Sequence, residues 1–155
     1  MFGPPGRLYV YLSYGLHHCA NIVTEADGVA GAVLLRAAAV QEGEAVVRAR
    51  RLAAPARGAA AGWRSRAAPP AGAAPAARRL ARDSLLRGPG NLCRGLGLTL
   101  RDNGVDVCAG AGRLAVLSPE FPLASVGAGP RVGISAALDH PLRFFWASHP
   151  AVSRG

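Results

Sequence analysis

The chain has no lysine: all 18 basic side chains among its 155 residues are arginine. A phosphate-cradling Walker loop is thereby excluded, because its motif ends on a lysine. Acids are scarce as well, nine in all, and none belongs to an evident catalytic pair. Glu25 and Asp27 fall in a turn, Glu42 and Glu44 at a helix start, and Glu120 beside prolines, whereas hydrolysis usually calls for a well-placed carboxylate base. No Ser, His and Asp arrangement is visible either. The three cysteines, Cys19, Cys93 and Cys108, are odd in number and lack a C-x-x-C pair, so neither a disulfide framework nor a zinc site is expected and a reducing, cytoplasmic setting fits. His17, His18 and Cys19 are adjacent, but two ligands do not make a metal site, and no metal or cofactor is expected. The longest uncharged run, Leu8 to Thr24, spans 17 residues and contains two His, an Asn, a Ser and a Gly. It is too short and too polar for a spanning helix and is a poor signal peptide, so no membrane partner is expected.

What the chain does have is 32 Ala, 20 Gly, 18 Arg and 12 Pro. All four belong to GC-rich codons, so the choice of arginine over lysine carries no argument. The balance of charge does: a net +9 points to a partner rich in phosphate. The length predicts one domain. The 50% hydrophobic content includes the alanines, which leaves enough large apolar residues for one modest core.

Residues 53 to 79 form an Ala/Pro/Arg-rich stretch with Trp63 as the one large apolar side chain, expected to be a disordered basic loop. Before it, Leu8–Leu12 is β-rich, Tyr14-Gly15 can turn, Leu16–Val23 continues extended, Ala26-Asp27-Gly28 signals a hairpin, and Val29–Ala37 predicts a third strand. Gln41–Leu52 predicts a helix, acidic at its start and basic at its end. Short helices are predicted at Arg79–Leu86 and Asn91–Leu98, and further strands at Leu114–Leu117, Arg131–Ser135 and Leu142–Ala147, with prolines punctuating the connections. The mixture predicts an α+β fold with an antiparallel sheet.

All three tyrosines fall within six residues, at Tyr9, Tyr11 and Tyr14. On a strand Tyr9 and Tyr11 share a face, and Tyr14 stands at the hairpin tip. Aromatic packing on a β surface accounts for this spacing; so does a platform for nucleobases, each stacking contact being worth about 1–3 kcal/mol. Asn21 and Arg36 interrupt apolar strand patterns, where a polar group needs a partner, and a structural hydrogen bond is the plain account of both. Gly88-Pro89-Gly90-Asn91 turns into a helix whose free N–H groups suit a phosphate, although such a turn is common.

In order and spacing, the segments MFGPPGRLYVYLSYGLHHCANIV, VLLRA, GPGNLCRGLGL, RVGIS and PLRFF resemble the alkyladenine (3-methyladenine) DNA glycosylase family from about Met1 to Ser153, the Ala/Pro-rich stretch excepted. The resemblance implies a single domain with a curved antiparallel sheet flanked by short helices, like the C-terminal domain of formyltransferases. It also implies a monomer that flips alkylated purines of the 3-methyladenine and 7-methylguanine class out of double-stranded DNA and hydrolyses them away in base excision repair, without a cofactor. The site roles follow from it. Tyr14 is the wedge that fills the vacated place in the duplex, flanked by Leu16 and His17. Tyr11 stacks on the extruded base, with a cation-π contribution where the base is charged. Asn21 screens the base, and Arg36 and the Val132 carbonyl position the hydrolytic water. In this family the segment before the Met1-Phe2 match carries the catalytic glutamate, a further stacking tyrosine and a histidine. Residues 1–155 are therefore expected to be a partial glycosylase domain without its N-terminal segment, and Glu25 does not match the missing base. Loss of that base is expected to slow hydrolysis by about 10²- to 10⁴-fold, and loss of upstream strands to expose a sheet edge. A non-catalytic, damaged-DNA-binding remnant is the alternative. A bacterial member of the family would work at the nucleoid.

Overall fold

A computed structural model describes residues 1–53, 80–110, 112–118, 125–134 and 139–152. It is an α+β arrangement, as expected. Strands β1 (Leu8–Ser13), β2 (His17–Val23) and β3 (Ala32–Leu34) form an antiparallel sheet in the order β1-β2-β3. Helix α1 (Glu44–Leu52), a 3₁₀ turn at Arg82–Ser84, helix α2 (Pro89–Leu96) and a second 3₁₀ turn at Leu100–Asp102 follow. The antiparallel pair β4 (Val126–Gly129) and β5 (Arg143–Trp146) comes last.

Period-2 alternation explains the first sheet. Val10 pairs with Ala20 and Leu8 with Ile22, so one face carries small and branched apolar side chains, while Tyr9 opposite Asn21 and Tyr11 opposite Cys19 make the other. On the apolar face Leu8, Val10 and Ala20 are buried with Leu92, Cys93, Leu98 and Val107, so α2 closes this core. A second buried cluster, Val40, Val47, Leu85 and Leu86, lies with α1. The two helices meet at Gly95, where an added Cβ would collide with Leu86 and come within 3.1 Å of Val47.

Several predicted boundaries move, each for a local reason. The third strand shrinks to Ala32–Leu34, because Val29 belongs to the preceding turn, its N–H donating to Ala26 at 2.9 Å, and Ala37 makes only an isolated bridge to Arg87. Helix α1 starts at Glu44 because Gly43 sits at φ 72, outside helical space. The helix expected at Arg79–Leu86 reduces to the 3₁₀ turn, since Ala81 is extended at ψ 145 and Gly88 lies at φ 93. Leu114–Leu117 is not a strand; there Val116 makes a single bond to the Val107 carbonyl, at 2.7 Å. The described part of Arg131–Ser135 is turn and coil, because Pro130 lacks an N–H and Gly133 has φ 79. The strand instead precedes the proline, at Val126–Gly129. Within the 53–79 stretch, residues 54–79 lie outside the described residues, as does Glu120.

The arginines have an unexpected share in this fold. Arg48 bonds the Leu80 carbonyl at 2.5 Å, Arg51 the Leu85 carbonyl at 2.8 Å and Arg82 the Val40 carbonyl at 2.8 Å. Arg50 reaches the Leu96 carbonyl at 3.0 Å, Arg94 returns to the Arg50 carbonyl at 3.1 Å, and Arg87 bonds the Pro150 carbonyl. In a chain poor in carboxylates, guanidinium groups bind main-chain oxygens between elements, each using a few of its five donors. Part of the arginine surplus is therefore structural.

Candidate functional site

The tip of the β1–β2 hairpin carries one of the two non-glycine residues with a left-handed backbone among the described residues. The Leu16 N–H donates to the Ser13 carbonyl at 3.0 Å, and between them Tyr14 has φ 49 and Gly15 φ 69. Glycine tolerates this left-handed region, whereas an L-residue such as tyrosine takes it up at roughly 1–2 kcal/mol. No packing offsets that strain, since Tyr14 is 96% exposed. A strained backbone that holds a large ring out in water is what a protruding contact residue requires. Leu16 beside it is half-buried and His17 exposed. The His17 side chain lies against Gly90 in the first turn of α2, where an added Cβ would stand 3.1 Å from the His17 Cβ, so the tip is braced by the helix start.

Lower on the same hairpin Tyr9 and Tyr11 stack, with ring centroids 5.7 Å apart and planes 19° from parallel. Asn21, paired with Tyr9 across the strands, is buried and donates from Nδ2 to the Tyr9 carbonyl at 3.3 Å. Its burial is thus satisfied by a structural bond. Burial, and next the Cys19 thiol beside it, raise the Tyr11 hydroxyl above its ordinary pKa, so the ring stays neutral at physiological pH. Burial likewise pushes the Cys93 thiol up to about 11, with Cys19 adding to the shift. Such a thiol is a packing group, not a nucleophile.

Arg36 and Val132 are brought together from 96 residues apart, Nη1 donating to the Val132 carbonyl at 3.4 Å. Among the described residues no carboxylate forms an ion pair with Arg36. Several of the other carboxylates are occupied. Glu44 pairs with Arg48 and Arg82. Asp106 accepts from the Cys108 and Ala109 amides at 3.0 Å and pairs with Arg7 at 3.7 Å. Glu25 is exposed and bonds Thr24 at 3.4 Å. Buried Asp102 was not visible as a candidate in the sequence. Burial pushes its carboxyl up, but the Thr99 amide and Arg113 outweigh that and hold it below the usual range. With Thr99 it closes a capping box on the second 3₁₀ turn, a structural task. The next residue, Asn103, accepts from the Val10 N–H at 2.9 Å and so pins the tyrosine strand. A side chain 93 positions away gives no sequence signal for that role.

Among the described residues no three His, Cys, Asp or Glu side chains are grouped to hold a metal ion, and no helix is long and apolar enough to cross a membrane. A cavity of about 390 Å³ beside Met1, Pro4, Arg7, Tyr9 and Asn103 borders Tyr9 alone of the tyrosines. Tyr11, Asn21 and Arg36 do not line it.

The family model described as Methylpurine-DNA glycosylase (MPG) matches residues 1–150. A protein of Mycobacterium sp. (strain KMS) named "Putative 3-methyladenine DNA glycosylase" is 44% identical over 154 residues, 99% of this chain and 62% of its own length. Proteins of the same name in Mycobacterium leprae (strain Br4923) and Nocardia farcinica (strain IFM 10152) are 43% and 44% identical over 99% of this chain, and 59% and 61% of theirs. The chain therefore spans about three fifths of the length of the curated relatives it matches. With a family model covering nearly its whole length, the chain belongs to the methylpurine-DNA glycosylase family.

Proposed function

We propose that this chain is the DNA-engaging portion of an N-glycosylase for alkylated purines, of the 3-methyladenine and 7-methylguanine class, in base excision repair. The observation that carries the reading is Tyr14, a bare ring on a strained hairpin tip. In this role Tyr14 enters the duplex where a flipped nucleotide has left, with Leu16 and His17 against the flanking backbone. Tyr11, backed by Tyr9, stacks on the extruded base, and a charged alkylpurine adds a cation-π attraction. Asn21 screens the base edge. Arg36 and the Val132 carbonyl hold the water that attacks the glycosidic carbon. The base that takes the water's proton is assigned to glycosylase sequence beyond this chain, since no described carboxylate stands with Arg36. The protein acts as a monomer in the cytoplasm, at the nucleoid of a bacterial cell.

The contact of Arg36 with the neutral Val132 carbonyl, together with the exposed Tyr14, also favours a second reading, in which this chain alone binds damaged duplex without cutting it. One set of measurements separates the two. Tyr14→Ala is expected to weaken binding to a methylated duplex about tenfold or more, in line with the loss of one stacking contact, while the chain keeps its thermal stability. Unchanged affinity sinks both readings. Release of methylated base is expected from a version extended by upstream family sequence and not from this chain alone. An extended protein inert on every alkylpurine removes the glycosylase reading and leaves the binding one. Release by this chain alone means that a carboxylate present here is the base.

A further inference from the structure

One peptide unit of β1 is gripped from both sides by asparagine side chains. The unit joins Tyr9 to Val10, with the stacked rings of Tyr9 and Tyr11 on one face of the strand and buried Val10 on the other. Its carbonyl accepts from the Asn21 Nδ2 at 3.3 Å, and its N–H donates to the Asn103 Oδ1 at 2.9 Å. In a trans peptide these two groups point in opposite directions, so Asn21 holds the unit from the β2 side and Asn103 from the outer edge. On that edge Leu8 is bonded to main-chain atoms, its N–H to the Val105 carbonyl at 2.8 Å and its carbonyl to the Gly104 N–H at 2.7 Å. At Val10 the Asn103 side chain supplies the acceptor that a neighbouring strand would have given.

Asn103 is itself held in place. It follows the capping box that Thr99 and Asp102 close on the second 3₁₀ turn, and its own N–H donates to the Leu100 carbonyl at 3.2 Å. From Asn21 through the peptide to Asn103 the donors all point the same way, an arrangement in which each hydrogen bond polarises the next. The end of this series that matters is Asn21. Only the NH₂ end of an amide can face a carbonyl, so the bond to Tyr9 turns the Asn21 Oδ1 away from it, and among the described residues no donor bonds that oxygen. We propose that Asn103 is a positioning residue for lesion selection: through the Tyr9–Val10 peptide it fixes which end of the Asn21 amide a base edge meets. Without it the amide is free to turn, and a purine meets a donor as readily as an acceptor. The inference rests on the screening role given to Asn21 above, and Asn103 acts through Asn21, not on the base.

The full chain is tested by two readouts, the first without DNA. In an amide-resolved NMR spectrum the Asn21 side-chain NH₂ signals are expected to shift and lose exchange protection in Asn103→Leu. They are expected to keep both in Asn103→Asp, whose carboxylate still accepts from Val10. The second readout is the preference for a methylated over an unmodified duplex, taken as a ratio of dissociation constants so that a change in net charge acts on both. Asn103→Leu is expected to reduce that ratio about tenfold, and Asn103→Asp to hold it within about twofold, as for residues coupled through one hydrogen-bond network. Asn21→Leu is expected to remove most of the preference, and adding Asn103→Leu to it to change nothing further. Asn103→Ala, which adds no bulk, takes the place of a leucine variant that loses its melting transition. Unchanged NH₂ signals overturn the inference, as does a ratio that falls with Asn21→Leu but not with Asn103→Leu. Losses that add in the double variant also overturn it, because Asn103 then acts elsewhere, and so does an aspartate variant that loses as much as the leucine one. A ratio indifferent to Asn21→Leu removes the screening role of Asn21 itself and takes the inference with it.

Discussion

In the β1–β2 hairpin the apolar face and both edges are closed. Helix α2 covers its apolar face, β3 pairs with one edge, and the other edge is bonded through Leu8 to Val105 at 2.8 Å, Gly104 to Leu8 at 2.7 Å and Val10 to Asn103 at 2.9 Å. In the β4–β5 hairpin Phe145 covers Gly127 on one face, while on the other the His149 ring stacks on Trp146 and Val126 and Phe144 stay exposed. Both hairpins alternate correctly, yet only the first finds its complement within the described chain. The difference teaches that a strand's pattern specifies which face needs covering, and other sequence specifies whether it is covered.

The contrast breaks most directly through paired truncations. Leu92 lies in the core under the closed hairpin at 2% exposure, so Leu92→Ala is expected to cost about 2–5 kcal/mol of unfolding free energy. Phe144→Ala on the open face is expected to stay within about 0.5 kcal/mol. Urea denaturation of both variants decides it, and equal losses would mean that β4–β5 is as fully packed as β1–β2.

A smaller effect sharpens the closed side. Asp102 sits in the turn next to the residue that pins β1, with its carboxyl held below its ordinary value of 3.8. A lowered folded-state pKa stabilises the fold at pH above the unfolded value, and that contribution fades as pH falls through the folded one. Asp102→Asn is therefore expected to cost about 0.5–2 kcal/mol near pH 7, the range of a lost cap. The gap to wild type should narrow below about pH 4. A gap independent of pH would show that shape, not ionisation, is what the carboxylate contributes.

The smallest test is chemical and leaves stability untouched. Cys19 and Cys93 are buried on the closed side, Cys93 with its thiol pushed up to about 11, while Cys108 is exposed. Iodoacetamide at pH 8 is expected to label Cys108 in the folded chain and all three thiols after unfolding, as read by intact mass. Labelling of Cys93 in the folded chain would indicate that α2 opens readily from β2.

How much of this was legible from residues alone depended on the range of the interaction. The β1–β2 hairpin and the exposed tip at Tyr14 were legible because alternation and the Tyr-Gly turn are local signals. Strand β4 was missed because Val-Gly-Ala-Gly is a poor strand sequence on its own and becomes one only beneath the Phe145 ring. The helix at Arg79–Leu86 was overestimated because its apolar residues serve a buried corner at Leu85 and Leu86, not a helical stripe. Arg36 and Val132 were named through family resemblance, and their contact is long-range, so no spacing in the sequence predicts it. Asn103 and Asp102 act at a distance on β1 and left no pattern to read.

The carbonyl-bonded arginines carry one more consequence. A guanidinium paired with a carboxylate cancels its charge, whereas one bonded to a peptide oxygen keeps the whole of it, because the acceptor is neutral. Arg50, Arg87 and Arg94 thus clamp the helical layer and still add their positive charge to the field around the molecule. That field reaches about a Debye length, roughly 8–10 Å at physiological salt. In this chain the scaffold and the attraction for a polyanion are not rival uses of arginine; the same side chains supply both.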